Sequence, residues 1–274
     1  LNPESGGSES YLSQQQTKEL INHLSEHLYQ DTKEIIKYIN DKYEIEYSIP
    51  GLNKWLHRNG FSYKKPKGNP HKADPSKQQE FIKKYENLKK KTSSSEPILF
   101  MDSMHPSMAT KLGYGWIKKG EDKTVDTTAS RTRVNIVGAI QLGRLDKMVV
   151  DEYKTVNSES IIDILKKIKK KYRKSKTVHL ILDGAGYHKS EIVKKCAKKL
   201  KIKLHFLPPY SPNLNPIERL WKVMNEKVRN NKFFNSVKEF RDNIMNFFHE
   251  TIPVINNTLK DRINDNFQIL NDST

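Results

Sequence analysis

The sequence contains a single cysteine, Cys196, among its 274 residues. One cysteine excludes a disulfide within the chain and a cysteine-based zinc cluster, and it favours a reducing compartment. The sequence also has no apolar run near the roughly 20 residues that cross a bilayer, and it has no visible signal peptide. These absences argue against a secreted disulfide scaffold and a membrane-spanning protein, and they favour a cytoplasmic location.

Negative charge is scarce, because 32 Asp and Glu stand against 49 Lys and Arg and give a net charge of +17. Such an excess is typical of proteins that bind polyanions, and nucleic acid is the usual one. Simple solubility, or a lysine-rich and AT-biased genome, would produce a similar composition. The length suits one large domain and one small domain.

Three helix-length patterns follow a flexible start. Positions 1–11 begin LNPESGGSES, without Met, which predicts a flexible linker or a cloning scar on a truncated protein. Positions 12–63 show three apolar stripes at helical spacing, with Asp31 or Thr32 and then Ser48 as N-caps, and Gly60 as a stop. Three short helices with a tight second connection predict a small all-α helix-turn-helix domain.

The third helix pattern has a polar face opposite its apolar stripe. A DNA-recognition helix needs such a face, because its side chains must reach base edges or phosphates. An ordinary solvated face would look the same, but the basic segment that follows favours DNA. The residues expected to contact DNA are Asn53, Lys54, His57 and Arg58 on the helix and Lys64, Lys65 and Lys67 after it.

A basic linker and a connecting helix occupy positions 64–95, and the pattern changes from about Glu96. Antiparallel-type strands come first, and strands then alternate with helices, which predicts a mixed sheet with helices on both faces. This domain is expected over 96–250, with a C-terminal tail at 251–274. The strand-like runs are Ile98–Met101, Tyr114–Lys118, Val134–Gln141, Lys147–Tyr153, Val178–Leu182 and Lys203–Leu207.

Positive charge is densest at Leu165–Lys176, which reads LKKIKKKYRKSK. Its apolar residues would pack on one face of a helix, and its lysines would form the outer face. That outer face is either a nonspecific DNA platform or a plain solvated surface.

Two carboxylates end apolar runs that are typical of central parallel strands: Asp102 and Asp183. Open α/β sheets place their sites at the carboxyl ends of such strands, so the two side chains should lie on one rim. Close carboxylates repel each other unless a cation lies between them, and Mg²⁺ suits a site of this kind. A third acid, Glu218, would allow a second ion and two-metal phosphodiester chemistry.

Each of these residues also has a structural explanation. With Asn215 as N-cap and Pro216 at the first helical position, Glu218 would complete a capping box. His105 and His188 follow the candidate aspartates closely, but an isolated histidine usually packs or forms hydrogen bonds. These two histidines and Asn215 are therefore candidates only for supporting the carboxylates.

Three segments, PILFMDSMHP, VHLILDGAGYHKS and LPPYSPNLNPIERLWKVMNEKV, resemble in this order the catalytic core of DDE transposases. The resemblance is to the mariner superfamily, in the branch found in bacterial insertion sequences. Thirty-four residues separate Asp183 from Glu218, as in that branch, and SPNLNPIE is its most specific signature. GYGWIKKGED and RVNIVGAI are similar to its second and third strands. The likeness covers about positions 12–250.

The resemblance implies an RNase H-like sheet of five strands, with Asp102 on the first strand, Asp183 after the fourth and Glu218 on the next helix. These three residues would be catalytic and would hold two Mg²⁺, with Mn²⁺ as a substitute. The implied function is a cut-and-paste transposase that cleaves transposon ends and joins the 3′ ends to target DNA at TA. It would act as a homodimer on double-stranded terminal inverted repeats, in the bacterial cytoplasm at the nucleoid.

Two other functions remain open at this point. An RNase H-like nuclease would only hydrolyse DNA, but the helix-turn-helix domain argues against it. The loss of a catalytic acid would favour a domesticated DNA-binding regulator with an inactive core, yet all three acids are present. Family members usually carry two helix-turn-helix units, and this chain shows one, similar to the second.

Overall fold

The computed structural model describes residues 11–66 and 72–269. The chain divides into two compact units, an N-terminal unit, Leu1–Gly68, and a C-terminal unit, Asn69–Thr274.

The N-terminal unit is a three-helix bundle. Its helices are α1 (Gln14–Glu26), α2 (Thr32–Tyr43) and α3 (Ile49–Arg58). Ser13, Asp31 and Ser48 cap the three helices with side-chain oxygens, which accept backbone N–H groups of the first turn. The core residues are Leu12, Leu20, Ile35, Ile39, Tyr47, Leu52 and Trp55. Residues 11–66 contain no strand, and the predicted helix-turn-helix arrangement is confirmed.

The C-terminal unit contains a five-stranded mixed sheet and six α-helices among the described residues. The strands are β1 (Ile98–Met104), β2 (Asn135–Gln141), β3 (Val149–Tyr153), β4 (Val178–Leu182) and β5 (Ile202–Phe206). The helices are α4 (Pro75–Lys91), α5 (Ser158–Lys171), α6 (Glu191–Lys199), α7 (Ile217–Met224), α8 (Val237–Asn246) and α9 (Ile252–Ile255).

The strand order is β3-β2-β1-β4-β5. β1 pairs antiparallel with β2 and parallel with β4, and β4 pairs parallel with β5. Every residue of β4 is buried, which explains why its sequence is apolar except for His179. The predicted mixed five-stranded sheet is therefore confirmed, with β1 and β4 as neighbours at its centre.

Helices cover both faces of this sheet. Because side chains alternate along a strand, Leu99 and Met101 of β1 pack against α5 and α6, whereas Phe100 packs on the opposite side. α4, α7 and α8 cover that opposite face. The chain beyond residue 250 adds Ile252 and Leu259 to the same core. No helix in the described part of the chain is both long and apolar enough to span a membrane.

The expected strand at Tyr114–Lys118 is wrong. These residues belong to an irregular segment between β1 and β2, and the Tyr114 and Trp116 side chains are fully exposed. Alternating aromatic residues suggested a strand, but glycines separate them and no neighbouring strand pairs with them. The second strand of the sheet is instead Asn135–Gln141, which overlaps the RVNIVGAI segment and extends one residue beyond it.

Candidate active site

Three carboxylates from three elements line one cleft of about 390 Å³. Asp102 lies on β1, Asp183 directly follows β4, and Glu218 lies in the first turn of α7. β1 and β4 are parallel neighbours, and α7 packs against β1. The three side chains that the sequence singled out therefore share one rim. Asp102 is not the last residue of its strand, however, since β1 continues to Met104.

A tryptophan that sequence reasoning missed holds Asp102. Trp221 Nε1 donates a hydrogen bond of 2.9 Å to Asp102 Oδ2. Its ring lies over Gly138, which is opposite Asp102 in the β1–β2 register. A Cβ at Gly138 would be only 2.6 Å from the ring, so the close approach requires glycine. The signal in the sequence was the spacing, because Trp221 follows Glu218 by three residues on a helix.

Asp183 is oriented by two donors on the same oxygen. His188 Nδ1 donates to Asp183 Oδ1 at 2.5 Å, and the Ala185 N–H donates to the same atom at 3.1 Å. His188 itself is 1 % exposed, and its buried Nε2 has no hydrogen-bond partner among the described residues. This arrangement fixes the carboxylate and leaves Oδ2 for a ligand. The structure thus brings His188 to the site, in contact with Asp183.

The pKa values of the three carboxylates are shifted in different directions. Burial raises the pKa of Asp102 to about 7, and the nearby charge of Glu218 adds to the effect. Burial also raises the pKa of Glu218, with Lys222 opposing it. The hydrogen bond from His188 lowers the pKa of Asp183. The cleft therefore holds more negative charge than its carboxylates tolerate without a cation.

Glu218 is not part of a capping box, so that expectation is wrong. Asn215 Nδ2 donates to the Met101 carbonyl of β1 at 3.2 Å, and no side chain caps α7. The reason is tertiary, because a buried strand carbonyl needs a donor and Asn215 supplies it. The Glu218 carboxylate forms no hydrogen bond within the described chain and faces the cleft.

A Pro-rich loop, residues 207–215, forms one wall of the cleft. Gln78 of α4 is fully buried and clasps this loop from behind. Its Nε2 donates to Ser211 Oγ at 3.1 Å, and its Oε1 accepts from Asn213 Nδ2 at 2.9 Å. The SPN portion of the signature thus has a physical basis, and Gln78 is another residue that sequence reasoning missed.

The remaining site candidates lie elsewhere or support the cleft. Asn215 lines it, whereas His105 Nδ1 pairs with Asn135 Oδ1 at 2.8 Å and His105 does not line it. In the N-terminal unit Asn53 Oδ1 accepts from Thr32 Oγ1 at 2.9 Å. All the described residues that the sequence predicted to contact DNA have exposed side chains: Asn53, Lys54, His57, Arg58, Lys64 and Lys65. Lys67 lies outside the described residues.

The cleft fits a hard divalent cation by its donor set. Within residues 11–66 and 72–269, no three His, Cys, Asp or Glu side chains are already gathered as a metal cage. The donors are nonetheless oxygens, and the buried Asn215 Oδ1 has no hydrogen-bond partner in the part of the chain that the structure describes. Mg²⁺ and Mn²⁺ prefer oxygen ligands, and either ion would reduce the repulsion between the carboxylates.

Comparison with known families identifies the C-terminal unit. Residues 97–241, more than half of the chain, match the model of the DDE superfamily endonucleases. The chain belongs to the DDE superfamily of endonucleases. Residues 26–85 match a winged helix-turn-helix model. The resemblance to DDE enzymes drawn from the sequence is thereby confirmed at the level of the superfamily.

Relatives of this DDE endonuclease include the insertion element IS630 uncharacterized 39 kDa protein of Shigella sonnei. The two are 24% identical over 216 residues, which are 78% of this chain and 62% of that protein. The chain therefore spans less than two thirds of the length of this relative.

Two solved structures share the fold. The Mos1 strand transfer complex gives a TM-score of 0.65 at 17% identity, covering 94% of this chain and 78% of that chain. The Mos1 mariner paired end complex with Mn gives 0.63 at 18% identity, covering 95% and 79%. At these identities the likeness establishes the RNase H-like fold.

Proposed function

We propose that this DDE endonuclease is a cut-and-paste DNA transposase. The observation that carries the proposal is the cleft in which Asp102, Asp183 and Glu218 meet on two parallel strands and one helix. The similar structures, a strand transfer complex and a paired end complex, support the same reaction class. The substrate would be double-stranded DNA with terminal inverted repeats, and the products would be ends joined to a target at TA.

Asp102, Asp183 and Glu218 would hold the metal, as two Mg²⁺ or, in substitution, Mn²⁺. Bound there, the ions supply Lewis acidity that activates the attacking hydroxyl and stabilises the leaving oxygen. The match to a Mos1 complex with Mn supports this choice of metal.

The side chains around the carboxylates do the positioning. Trp221 holds one oxygen of Asp102, and His188 with the Ala185 N–H holds one oxygen of Asp183. Fixed carboxylates lose little freedom when the cleft closes on phosphate and metal, which favours reaction. Lys189 at the cleft wall would attract the DNA backbone. The chain thus supplies orientation and charge rather than a covalent nucleophile.

The N-terminal unit would bring the transposon end. The exposed face of α3, with Asn53, Lys54, His57 and Arg58, would contact bases or phosphates, and the lysines after it would contact phosphates. Joining two ends to one target needs two active sites, so we propose a homodimer on DNA. The winged helix-turn-helix match and the likeness to a paired end complex support both statements.

Glu218→Gln tests the proposal directly. Because Glu218 forms no cap, the substitution should leave the free energy of unfolding within about 1 kcal/mol. It should also leave DNA binding near normal, but remove cleavage and strand transfer, since an amide lacks the charge that a hard cation requires. Gel assays with Mg²⁺ on end-containing DNA measure both steps. Glu226→Gln, an exposed acid beyond α7, is the matched control.

The same assay separates the competing functions. Asp102→Asn and Asp183→Asn should lose activity together with Glu218→Gln, because the three act as a unit. Near wild-type cutting by Glu218→Gln, or undiminished cutting in excess chelator, would overturn the metal site. Cleavage without joined products would indicate a nuclease, and binding without cleavage would indicate a regulator.

A further inference from the structure

A second groove, of about 570 Å³, lies along the outer edge of the sheet between α6 and β5. Its floor is apolar and includes Ala197, Leu204 and Phe206. Five lysines surround that floor, and no acidic residue lines it. They are Lys176, Lys194, Lys198, Lys201 and Lys203. We call this feature the lysine groove.

The lysines of the groove carry almost unopposed charge. Within the described chain only Lys194 has an ion-pair partner, Glu191, at 2.8 Å. Several like charges placed together without partners are unfavourable unless a polyanion neutralises them. The groove is therefore complementary to a chain of phosphates.

Protection of a sheet edge explains only part of this charge. β5 is an edge strand, and lysine on an edge strand discourages pairing with another sheet. That role accounts for Lys203, which lies on the strand. Lys194 and Lys198 lie on α6, and Lys176 precedes β4. These three lysines do not lie on the edge strand, so edge protection does not explain them.

The groove adjoins the catalytic cleft at the end of β5. Phe206 ends β5 at the groove, and the next residue, Leu207, lines the cleft. Lys189 also lines the cleft, and its Nζ lies 5.6 Å from the centre of the Phe206 ring. A duplex in the groove would thus be led by Lys189 towards Asp183.

The chemistry of the groove suits DNA of any sequence. Its charged groups are all lysines, which are flexible point charges that suit phosphates, and its described lining has no Arg, Asn or Gln with a planar group for pairing with a base edge. Transposon ends are recognised by sequence, whereas the target must be held almost regardless of sequence. On the basis of the proposed function, we propose that the lysine groove binds the target duplex and guides it to the carboxylates.

A triple variant, Lys176→Gln, Lys198→Gln and Lys203→Gln, tests the proposal in the full chain. Lys201, which holds a left-handed turn with a φ of 58°, and Lys194, which pairs with Glu191, are left unchanged. The matched control is Lys83→Gln, Lys90→Gln and Lys91→Gln on α4, which removes the same charge from the opposite face of the sheet.

The first measurement is the affinity for a generic duplex as a function of salt, by fluorescence anisotropy without metal. Each lysine–phosphate pair that the substitutions remove should flatten the slope of log K against log salt by about 0.9, so the slope of the groove variant should fall by about 2 to 3. The control should keep the wild-type slope. Equal slopes for the two variants would overturn the proposal. Aggregation of the groove variant with normal DNA binding would also overturn it, because the lysines would then only protect the edge strand.

The second measurement separates target DNA from other DNA. The groove variant should cut uncut transposon ends at near wild-type rate, yet transfer pre-cut ends into a plasmid at least tenfold more slowly than the control. Impaired cutting with normal transfer would assign the groove to flanking DNA and overturn the target role. A wild type that neither cuts nor joins would overturn the proposed function, while the salt slope still decides whether the groove binds DNA.

Discussion

His188 uses one ring nitrogen, and the other is buried with no partner within residues 11–66 and 72–269. Its Nδ1 holds Asp183 Oδ1, so the histidine acts through the carboxylate rather than on DNA. An asparagine amide can reach the position of Nδ1, whereas a glutamine amide reaches that of Nε2. The geometry of this one hydrogen bond should therefore decide which substitutions the protein tolerates.

We expect His188→Asn to keep cleavage within about tenfold of wild type and His188→Gln to lose about 10- to 100-fold, as residues that orient metal ligands commonly do. The Mg²⁺ concentration for half-maximal cleavage should rise in the same order. Equal losses, with unchanged metal dependence and matching losses of thermal stability, would indicate a packing role alone.

A histidine pair on β4 and β5 predicts how stability depends on pH. His179 Nδ1 and His205 Nε2 are 3.0 Å apart, and Lys203 lies nearby with Glu96. Burial lowers the pKa of His205 to about 4, and the charge of His179 adds to this; burial likewise lowers the pKa of His179. The His205 ring is therefore neutral in the fold at pH 6, and burial favours the neutral form of the His179 ring as well.

Because the folded pKa lies below the unfolded value, the unfolded chain binds more protons and stability falls as the pH drops from about 6.5 towards 4. His205→Gln should flatten this fall by about 1 kcal/mol at pH 5, a value discounted for partial exposure. Urea denaturation at pH 7 and pH 5 measures it, with the exposed His249→Gln as control. An unchanged difference between the two pH values would contradict the assignment.

At the scale of elements, β2 has a position that only glycine can fill. Gly138→Ala should push its Cβ into the Trp221 ring and cost about 1–3 kcal/mol of unfolding free energy. It should also weaken the hydrogen bond from Trp221 to Asp102 and so slow cleavage. Gly186→Ala, where nothing lies within 4 Å, is the control. Thermal denaturation that moves equally for both would refute the packing argument.

The elements that the sequence predicted well are those whose signal is local. β1 and β4 are buried on both faces, so a largely apolar run ending near an aspartate was enough to place Asp102 and Asp183. The errors came from distant partners. Asn215 looked like a cap, but its partner is the Met101 carbonyl on β1. Gln78 is 133 residues from Ser211, and no local pattern marks such a pairing.

At the scale of the whole molecule, DNA recognition and chemistry belong to different units. Asn53→Ala with Arg58→Ala should weaken binding of the transposon end, by about 1–3 kcal/mol for each base-specific hydrogen-bonded pair that is removed. Lys64→Ala, Lys65→Ala and Lys67→Ala should lower affinity for every sequence and flatten its salt dependence. Gel-shift titrations on end and generic DNA measure both.

The control for these variants is Lys18→Ala, an exposed lysine on α1 of the same unit. It should leave both affinities near wild type. If the α3 substitutions change neither specific nor generic affinity, α3 is not the recognition helix. If they abolish the fold, circular dichroism will show it, and Arg58→Ala alone then provides the test.

The hydrogen bonds of Gln78 determine where a catalytic fragment of this protein can begin. The match to the DDE endonuclease model starts at residue 97, and a fragment cut there would keep every strand of the described sheet and all three acids. It would nevertheless lack Gln78, which bonds to Ser211 and Asn213, along with Phe81 and Tyr85 of the core. The segment that matches the DDE endonuclease model is thus shorter than the C-terminal unit, which packs as one compact body. A fusion protein that uses this catalytic unit must therefore include α4.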